Sequence, residues 1–321
     1  MGLRHRAVAG TVGALMLASV LAHAAPFALI ADGSKNTVSL IDVASRALIK
    51  TIAVGDGPAG IAVGRDKRHV YISNMNSRDI SVLDTRRLEI TDTIPAGAAP
   101  FGLATDPKRD RIYVADSKRG TIIAFDHGAQ SPAFELVTGN TPMGIAVNSE
   151  ASRIIVSNHD DNNVMLFDIT MRKLLATIPV GSAPVGVTLS SDGSRAFVAN
   201  QGSNNITVIN LPLAQALFNI PVGKGPYAIA HDPKSDYLFV TNQHENSISV
   251  VDLKKRRERT QIAVGEHPRG IDFIASHRQL YVVNLLSGAV SIIDTDMLEV
   301  IGAIRFGVGV RAFGKFILQR P

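Results

Sequence analysis

Apolar residues along the chain form short runs separated by turn residues, and the arrangement returns every 42 residues. In one unit the runs cover residues 101–105, 111–116, 121–126 and 134–138. Runs of this length, bounded by Gly, Pro, Asn and Asp, predict β-strands, and no segment shows the 3.6-residue spacing of an amphipathic helix. Four short strands in each unit of this length predict the blade of a β-propeller, with strands a to d counted outwards from the central channel.

Four series of residues keep the 42-residue step in register. The first two are a glycine series (Gly55, Gly97, Gly139, Gly181, Gly223, Gly265 and Gly307) and a proline series (Pro58, Pro100, Pro142, Pro184, Pro226 and Pro268, with Val310 in the seventh place). The third is the Asp or Asn that ends strand b: Asp32, Asn74, Asp116, Asn158, Asn200, Asn242 and Asn284. The fourth is the Asp or Asn that ends strand c: Asp42, Asp84, Asp126, Asp168, Asn210, Asp252 and Asp294. We expect the glycine to supply an unusual φ and the proline to fix φ between strands d and a. The Asp and Asn residues are suited to turns. Because they recur in every blade, we interpret them as structural rather than as metal ligands.

Counting strands predicts how the ring closes. The chain enters the repeat at strands b, c and d (residues 27–31, 37–42 and 48–54) and ends on an unpartnered strand a (residues 311–317). The two ends therefore complete one blade, which leaves no open sheet edge at the seam. The prediction is an all-β, seven-bladed β-propeller with four antiparallel strands per blade and "velcro" closure.

The N-terminus predicts export. Arg4 and Arg6 precede an uncharged apolar stretch over residues 7–21, and Ala22-His23-Ala24 has the form of a cleavage site. We interpret residues 1–24 as a signal peptide and 25–321 as one propeller domain, periplasmic or secreted; the alternative is an uncleaved anchor. No later stretch is apolar and long enough to span a bilayer. The chain has no Cys and no Trp, which excludes disulfides, thiolate metal sites and a Cys nucleophile.

Several strand motifs carry a family resemblance. Strand b reads Tyr71-Ile-Ser-Asn74, Phe239-Val-Thr-Asn242 and Tyr281-Val-Val-Asn284, and strand c reads Ser249-Val-Val-Asp252 and Ser291-Ile-Ile-Asp294. With the I-x-V-G-x-x-P-x-G-I connection, the chain closely resembles the YVTN-repeat, YncE-like periplasmic β-propellers, from Phe27 to its end. Leu29 and Ile155 replace the strand-b aromatic in two blades. The resemblance implies the fold; for function it implies only nucleic-acid binding, a cell-surface role or an accessory role beside quinoprotein dehydrogenases as alternatives.

A candidate site appears where the repeat is broken. The residue after the proline is neutral in five blades (Ala59, Phe101, Met143, Val185 and Tyr227) but is Arg269 and Arg311 in the other two. His244 and His267 belong to neighbouring connections. These residues should meet at the top mouth of the channel, the face that carries the b–c and d–a connections. We predict that Tyr227, His244, His267, Arg269 and Arg311 bind a small anionic ligand, since Arg recognises carboxylate and phosphate. The alternative is an ordinary solvated loop surface.

The bottom face, with the a–b and c–d turns, carries basic residues: Arg46, Arg65, Lys67, Arg68, Arg86, Arg87, Lys108, Arg109, Arg172, Lys173, Lys234 and the run Lys254–Arg257. Basic patches attract nucleic acid or anionic lipid. We favour a solubility role, because Asp66, Asp110, Asp236 and Glu258 are interspersed and no aromatic residues alternate with the basic ones.

We predict a non-enzymatic binding or scaffold protein that acts as a monomer, takes a small anionic ligand or a periplasmic protein partner, and needs no metal or other cofactor. The enzyme alternative is a lactonase-like hydrolase or lyase that uses His267 or His244. Against the enzyme alternative, the predicted inner strands provide a single carboxylate, Asp272. The sequence also has no Walker, H-E-x-x-H or G-x-S-x-G motif. The cluster His159-Asp160-Asp161 is interpreted as a solvated turn.

Overall fold

A computed structural model describes residues 26–148, 150 and 152–319. The predicted signal peptide and its cleavage site lie outside the described residues. In chain order the strands are β1 Phe27–Asp32, β2 Thr37–Asp42, β3 Leu48–Ala53, β4 Pro58–Val63, β5 His69–Asn74, β6 Asp79–Asp84, β7 Glu89–Pro95, β8 Pro100–Thr105, β9 Arg111–Asp116, β10 Thr121–Asp126, β11 Phe134–Val137, β12 Pro142–Val147, β13 Arg153–Asn158, β14 Asn163–Asp168, β15 Lys173–Pro179, β16 Pro184–Leu189, β17 Arg195–Asn200, β18 Asn205–Asn210, β19 Gln215–Pro221, β20 Pro226–Asp232, β21 Tyr237–Asn242, β22 Ser247–Asp252, β23 Arg257–Ala263, β24 Pro268–Ile274, β25 Gln279–Asn284, β26 Ala289–Asp294, β27 Glu299–Arg305, β28 Val310–Arg311, β29 Phe313–Lys315 and β30 Ile317–Leu318.

These strands form seven antiparallel sheets arranged as the blades of a propeller, which confirms the predicted fold class. Blade 1 contains β1–β3 with β28 and β30 of the C-terminal segment, and blades 2 to 7 follow in order, each with four consecutive strands, to which β29 adds a parallel strand in blade 2. The middle strands are buried on both faces, because each blade packs against two neighbours, whereas outer strands such as β7 alternate between exposed and partly buried residues. No helix in the described part of the chain is long and apolar enough to cross a membrane.

The inner strands of neighbouring blades approach each other closely at a second glycine, two residues after the proline. A Cβ on Gly102 or Gly270 would collide with a backbone carbonyl of the next blade, that of Met143 or Ala312. Each inner strand of blades 2 to 7 also carries a bulge just after its proline. The bulge bends the strand at the top of the channel and changes the direction of the side chains that follow.

The seven-membered glycine series has a different cause from the one expected. Gly97 and Gly307 have positive φ, at 85° and 126°, but the other five do not. At Gly181 and Gly265, an added Cβ would collide with the buried Asn that ends strand b, Asn200 or Asn284. That expectation was therefore wrong for most blades: glycine is needed there because the strand-b Asn and a side chain of the b–c turn, such as Ser203 or Ser287, occupy the space of its Cβ.

The Asp and Asn that end strand c form the predicted turns in six blades, whereas Asp126 in blade 3 instead accepts a hydrogen bond from Arg111 Nε. Asp84 Oδ1 accepts hydrogen bonds from the backbone N–H of Arg86 and Arg87, at 2.8 and 3.1 Å, and the equivalent atom of Asp294 accepts from Asp296 and Met297. The end of strand b divides into two types. Asp116 accepts turn N–H groups, whereas the Asn residues donate from Nδ2 to strand c, as Asn200 does to Thr207 Oγ1 at 2.8 Å.

The closing segment joins both ends of the chain, as predicted, but is not one continuous strand. Its first and last parts, β28 and β30, pair with β1, whereas β29 turns aside and pairs in parallel with β4 of blade 2. Asp272 in β24 holds this path: its Oδ2 accepts the backbone N–H of Phe316 and Ile317 at 3.0 and 2.9 Å. Gly314, with a φ of 103°, permits the change of direction.

Candidate functional site

The predicted site residues occupy equivalent places in neighbouring blades. Tyr227 in β20, Arg269 in β24 and Arg311 in β28 each follow the first residue of an inner strand, in blades 6, 7 and 1. His244 lies in the turn between β21 and β22 of blade 6, and His267 immediately precedes β24. All five therefore lie at the top mouth, on three consecutive blades.

Arg269 is the centre of the contacts in this group. Its Nε donates to Gln243 Oε1 at 3.0 Å, and its Nη2 donates to His267 Nε2 at 2.9 Å. Its guanidinium carbon lies 5.1 Å from the ring centre of Tyr227, a cation–π contact. The rings of His244 and His267 are 5.9 Å apart. Gln243 is an addition to the predicted group, and its only signal in the sequence is its position beside His244.

The contact with Arg269 defines the protonation state of His267. An arginine side chain can only donate, so His267 Nε2 must accept, and the neutral ring carries its proton on Nδ1. Burial lowers the pKa of His267, and the positive charge of Arg269 and the nearness of His244 lower it further. The imidazole is therefore neutral near pH 7.

Arg311 is the second cation at the mouth. Gly33 leaves space for its side chain, since a Cβ there would lie 3.3 Å from Arg311 Nε. That Nε is buried and has no hydrogen-bond acceptor among the described residues. Burial raises the pKa of the Tyr227 hydroxyl, although the charges of Arg269 and Arg311 act in the opposite direction. Both guanidinium groups are therefore close enough to Tyr227 to influence its ionisation.

Several arginines on the bottom side of the ring are paired with buried carboxylates, whereas the two at the mouth have no acidic partner among the described residues. Arg68, Arg109 and Arg278 form ion pairs with buried carboxylates, Asp84, Asp106 and Asp232 respectively, at 2.6 to 3.1 Å. Across residues 26–148, 150 and 152–319, no ion pair within 4.0 Å involves Arg269 or Arg311. The top mouth therefore carries two positive charges without an acidic partner.

An apolar floor lies beneath these charges. The Phe313 ring is 4.9 Å from that of Phe101 in blade 3 and 5.7 Å from that of Tyr227 in blade 6. Phe313 thus bridges opposite sides of the channel. An apolar floor lowers the local dielectric constant, which strengthens the attraction between the arginines and an anion. It also limits the depth to which a ligand can enter from the top.

The two histidines lack the acidic partner that a catalytic dyad requires. In the part of the chain that the structure describes, no carboxylate is hydrogen-bonded to the ring of His244 or His267.

The cluster at residues 159–161 lies in turn contacts. His159 Nδ1 is 2.7 Å from Asp160 Oδ1, and Asp160 Oδ2 also accepts the Thr141 hydroxyl at 2.5 Å. Asp161 Oδ2 accepts the backbone N–H of Asn140 at 2.7 Å. These contacts agree with the interpretation of the cluster as a turn.

Many of the basic side chains of the bottom face have partners within the chain. Besides the pairs above, Lys108 reaches Glu150 at 2.5 Å, Arg65 lies 3.7 Å from Asp110, and Arg256 packs 4.5 Å from the Phe218 ring centre. These contacts leave less free positive charge than the sequence alone implies.

No protein-family model matches the chain, and no curated protein matches it. Solved structures do. The chain is similar to the Kuenenia stuttgartiensis hydrazine synthase, with a TM-score of 0.72, 19% identity, and coverage of 87% of this chain and 92% of that one. It is also similar to a functionally unknown protein from Desulfotomaculum acetoxidans (TM-score 0.77, 13% identity, coverage 90% and 99%) and to the dihydro-heme d1 dehydrogenase NirN in complex with DHE (0.66, 15%, 91% and 75%). At these identities the likeness shows the propeller fold alone.

Proposed function

We propose that this protein is an exported β-propeller of the YVTN-repeat, YncE-like type that binds a small anionic ligand at its top mouth. The observation that carries the proposal is the pair Arg269 and Arg311, adjacent around the channel and without a carboxylate partner in the described residues. The repeat-based fold and the resemblance in strands b and c support the family. The apolar stretch at residues 7–21 supports export.

The ligand best matched by these groups is a small carboxylate or phosphate. The buried Arg311 Nε–H has no acceptor, and leaving a buried donor without one costs roughly 1–3 kcal/mol. An anion would supply that acceptor and would also reach the guanidinium of Arg269. The Phe313 floor restricts the ligand to one that fits above it, and Tyr227 presents an aromatic ring at its edge.

Calorimetric titration with small carboxylates and phosphates tests the proposal. The variants are Arg269→Gln and Arg311→Gln, singly and together, and the matched control is Arg86→Gln with Arg87→Gln, an adjacent exposed pair on the bottom face. We expect an anion to bind the parent and the control, and the double Arg269/Arg311 variant to lose binding. A ligand at about 100-fold excess over its Kd should also stabilise the parent by roughly 2.7 kcal/mol. Binding that survives in the double variant would reject the site.

The enzyme, nucleic-acid and protein-partner alternatives predict different results with the same purified protein. Lactone or ester turnover that disappears in a His267→Ala variant would favour the enzyme. Steeply salt-dependent binding of single-stranded DNA, lost on changing Lys254–Arg257, would favour nucleic acid. If no small anion binds, a periplasmic protein partner becomes the better explanation. Sequencing the N-terminus of the exported protein tests export, with Ala25 expected as its first residue.

A further inference from the structure

A separate cavity occupies the lower half of the central channel. It has a volume of about 360 Å³ and lies between the Phe313 floor and the a–b turns, to which Pro107 and Ser190 belong. This volume falls within the range of roughly 300–1,000 Å³ that is usual for small-ligand pockets. Because Phe313 separates it from the top mouth, it is distinct from the proposed anion site.

The wall of the cavity consists of two rings of residues from successive inner strands. The ring nearer Phe313 is aliphatic: Leu103, Ile145, Val187, Ile229 and Ile271. The ring two residues further along the strands lies nearer the bottom opening and is mixed: Thr105, Val147, Leu189, His231 and Lys315. Leu103, Ile145 and Ile229 also pack into the cores between blades and are 4–8% exposed, so each presents only an edge of its side chain to the cavity. The cavity thus changes from apolar in its depth to partly polar at its opening.

The closing segment makes the cavity asymmetric. Since β29 pairs in parallel with β4, Phe313, Gly314 and Lys315 cover the inner strand of blade 2 and form the wall on that side. Ile61, which holds the same repeat position as Leu103, is fully buried and does not line the cavity. A single lysine is thereby brought to the opening by the end of the chain.

His231 and Lys315 are the ionisable residues that line the cavity in the described chain, and neither is acidic. Lys315 is the basic side chain at the opening; burial lowers the pKa of the other ionisable lining residue, His231, whose ring Nε2 lies 3.4 Å from Asp236 Oδ1. The Lys315 side chain is 64% exposed, and its Nζ lies 3.1 Å from Asp272 Oδ1. The backbone N–H groups of Phe316 and Ile317, which attach the closing segment, donate to the other oxygen, Asp272 Oδ2. Lys315 can therefore contact a second anion without releasing the closing segment.

We propose that the lower channel binds a single-chain amphiphile with an anionic head, such as a fatty carboxylate. The alkyl chain lies against the aliphatic ring and ends below Phe313, and the carboxylate lies at the bottom opening beside Lys315. The aliphatic residues lie at one repeat position of successive inner strands, and the closing segment brings Lys315 to the bottom opening.

Titration of the purified protein with a series of saturated carboxylates, kept below their micelle concentrations, tests this proposal. Affinity should rise by about fourfold for each added methylene, the value expected for burying one in an apolar site. The rise should stop once the chain fills the cavity. At equal chain length, dodecanoate should bind roughly tenfold more tightly than dodecanol, as a charge-assisted contact would provide, and more tightly than dodecyltrimethylammonium. A parent protein that binds none of these compounds would overturn the proposal.

Two substitutions locate the bound chain. Val187→Phe fills the aliphatic ring and should abolish binding, while Val308→Phe, the same change at an exposed site on the top face, should not. Lys315→Met should remove the preference for dodecanoate over dodecanol, with Lys234→Met as its control. If Val187→Phe fails to fold, the chain-length series and the head-group comparison on the parent still decide. Unchanged dodecanoate binding in a folded Val187→Phe variant would show that the ligand binds outside this cavity. The Arg269/Arg311 double variant, which should lose binding of small anions at the top mouth, should still bind dodecanoate.

Discussion

Replacing Asp272 with alanine should loosen the closing segment from blade 7. The Asp272 side chain is 3% exposed, and its Oδ2 accepts the backbone N–H groups of Phe316 and Ile317 at 3.0 and 2.9 Å. Its Oδ1 accepts Lys315 Nζ at 3.1 Å. These three bonds attach the end of the chain to β24, the inner strand of the preceding blade.

The cost of the substitution follows from the two backbone donors. Alanine would leave both N–H groups buried without an acceptor, and each such group costs roughly 1–3 kcal/mol. The bond to Lys315 contributes less, at most about 1 kcal/mol, because the lysine is exposed and its charge is screened by water. The expected loss is therefore about 2–7 kcal/mol of unfolding free energy.

Urea denaturation at neutral pH measures this loss. Asp272→Ala should lower the unfolding free energy by the amount above, Asp272→Asn should lower it less because one acceptor oxygen remains, and Lys315→Met should change it by under about 1 kcal/mol. A loss for Asp272→Ala within about 0.5 kcal/mol, the range of an ordinary surface substitution, would show that Asp272 does not hold the seam.

Three further predictions concern packing, acid stability and the site. Gly144→Ala should destabilise the protein by roughly 1–3 kcal/mol, since the added Cβ would collide with the Val185 carbonyl of the next blade. Ala228→Gly, at the same repeat position of blade 6, should cost less. The urea midpoints of the two variants test this difference. Burial opposes the ionisation of Asp232, but Arg278 outweighs it and holds the pKa of Asp232 at about 2. Because this pKa is below that of the unfolded chain, the stabilisation is complete above about pH 4 and is lost as the pH falls towards 2. Asp232→Asn should therefore make the unfolding free energy, measured in urea, fall less steeply over this pH range. A bound anion should favour protonated His267, so affinity should rise as the pH falls from neutral towards the lowered pKa of His267. Calorimetry should then show proton uptake, and His267→Gln should remove both effects.

The blades could be predicted from the sequence because each is a local unit repeated without insertion. The strand bounds of the unit at residues 101–138 differ from the structure by one residue at two ends. The cause of the glycine series could not be predicted in the same way. It depends on how close the buried Asn200 or Asn284 side chain comes to the connection, which is a matter of packing rather than of turn type.

The candidate site could be predicted where it follows the repeat. The 42-residue step placed Tyr227, Arg269 and Arg311 together, and the structure brings His244 and His267 to the same group. The Phe313 floor and the cavity beneath it were missed. Both depend on β29 leaving its own blade to pair with β4, a path set by Asp272 and by contacts between the two ends of the chain.

Nuclear magnetic resonance of the arginine side-chain Nε–H groups, recorded during titration with an anion that binds in calorimetry, tests the central claim most directly. The Nε–H signals of Arg269 and Arg311 should shift together and saturate at one equivalent, since Arg311 Nε gains its acceptor from the ligand. The signals of Arg86 and Arg87 on the bottom face should stay in place. Saturable binding that leaves the Arg311 signal unmoved would contradict an anion site at the top mouth.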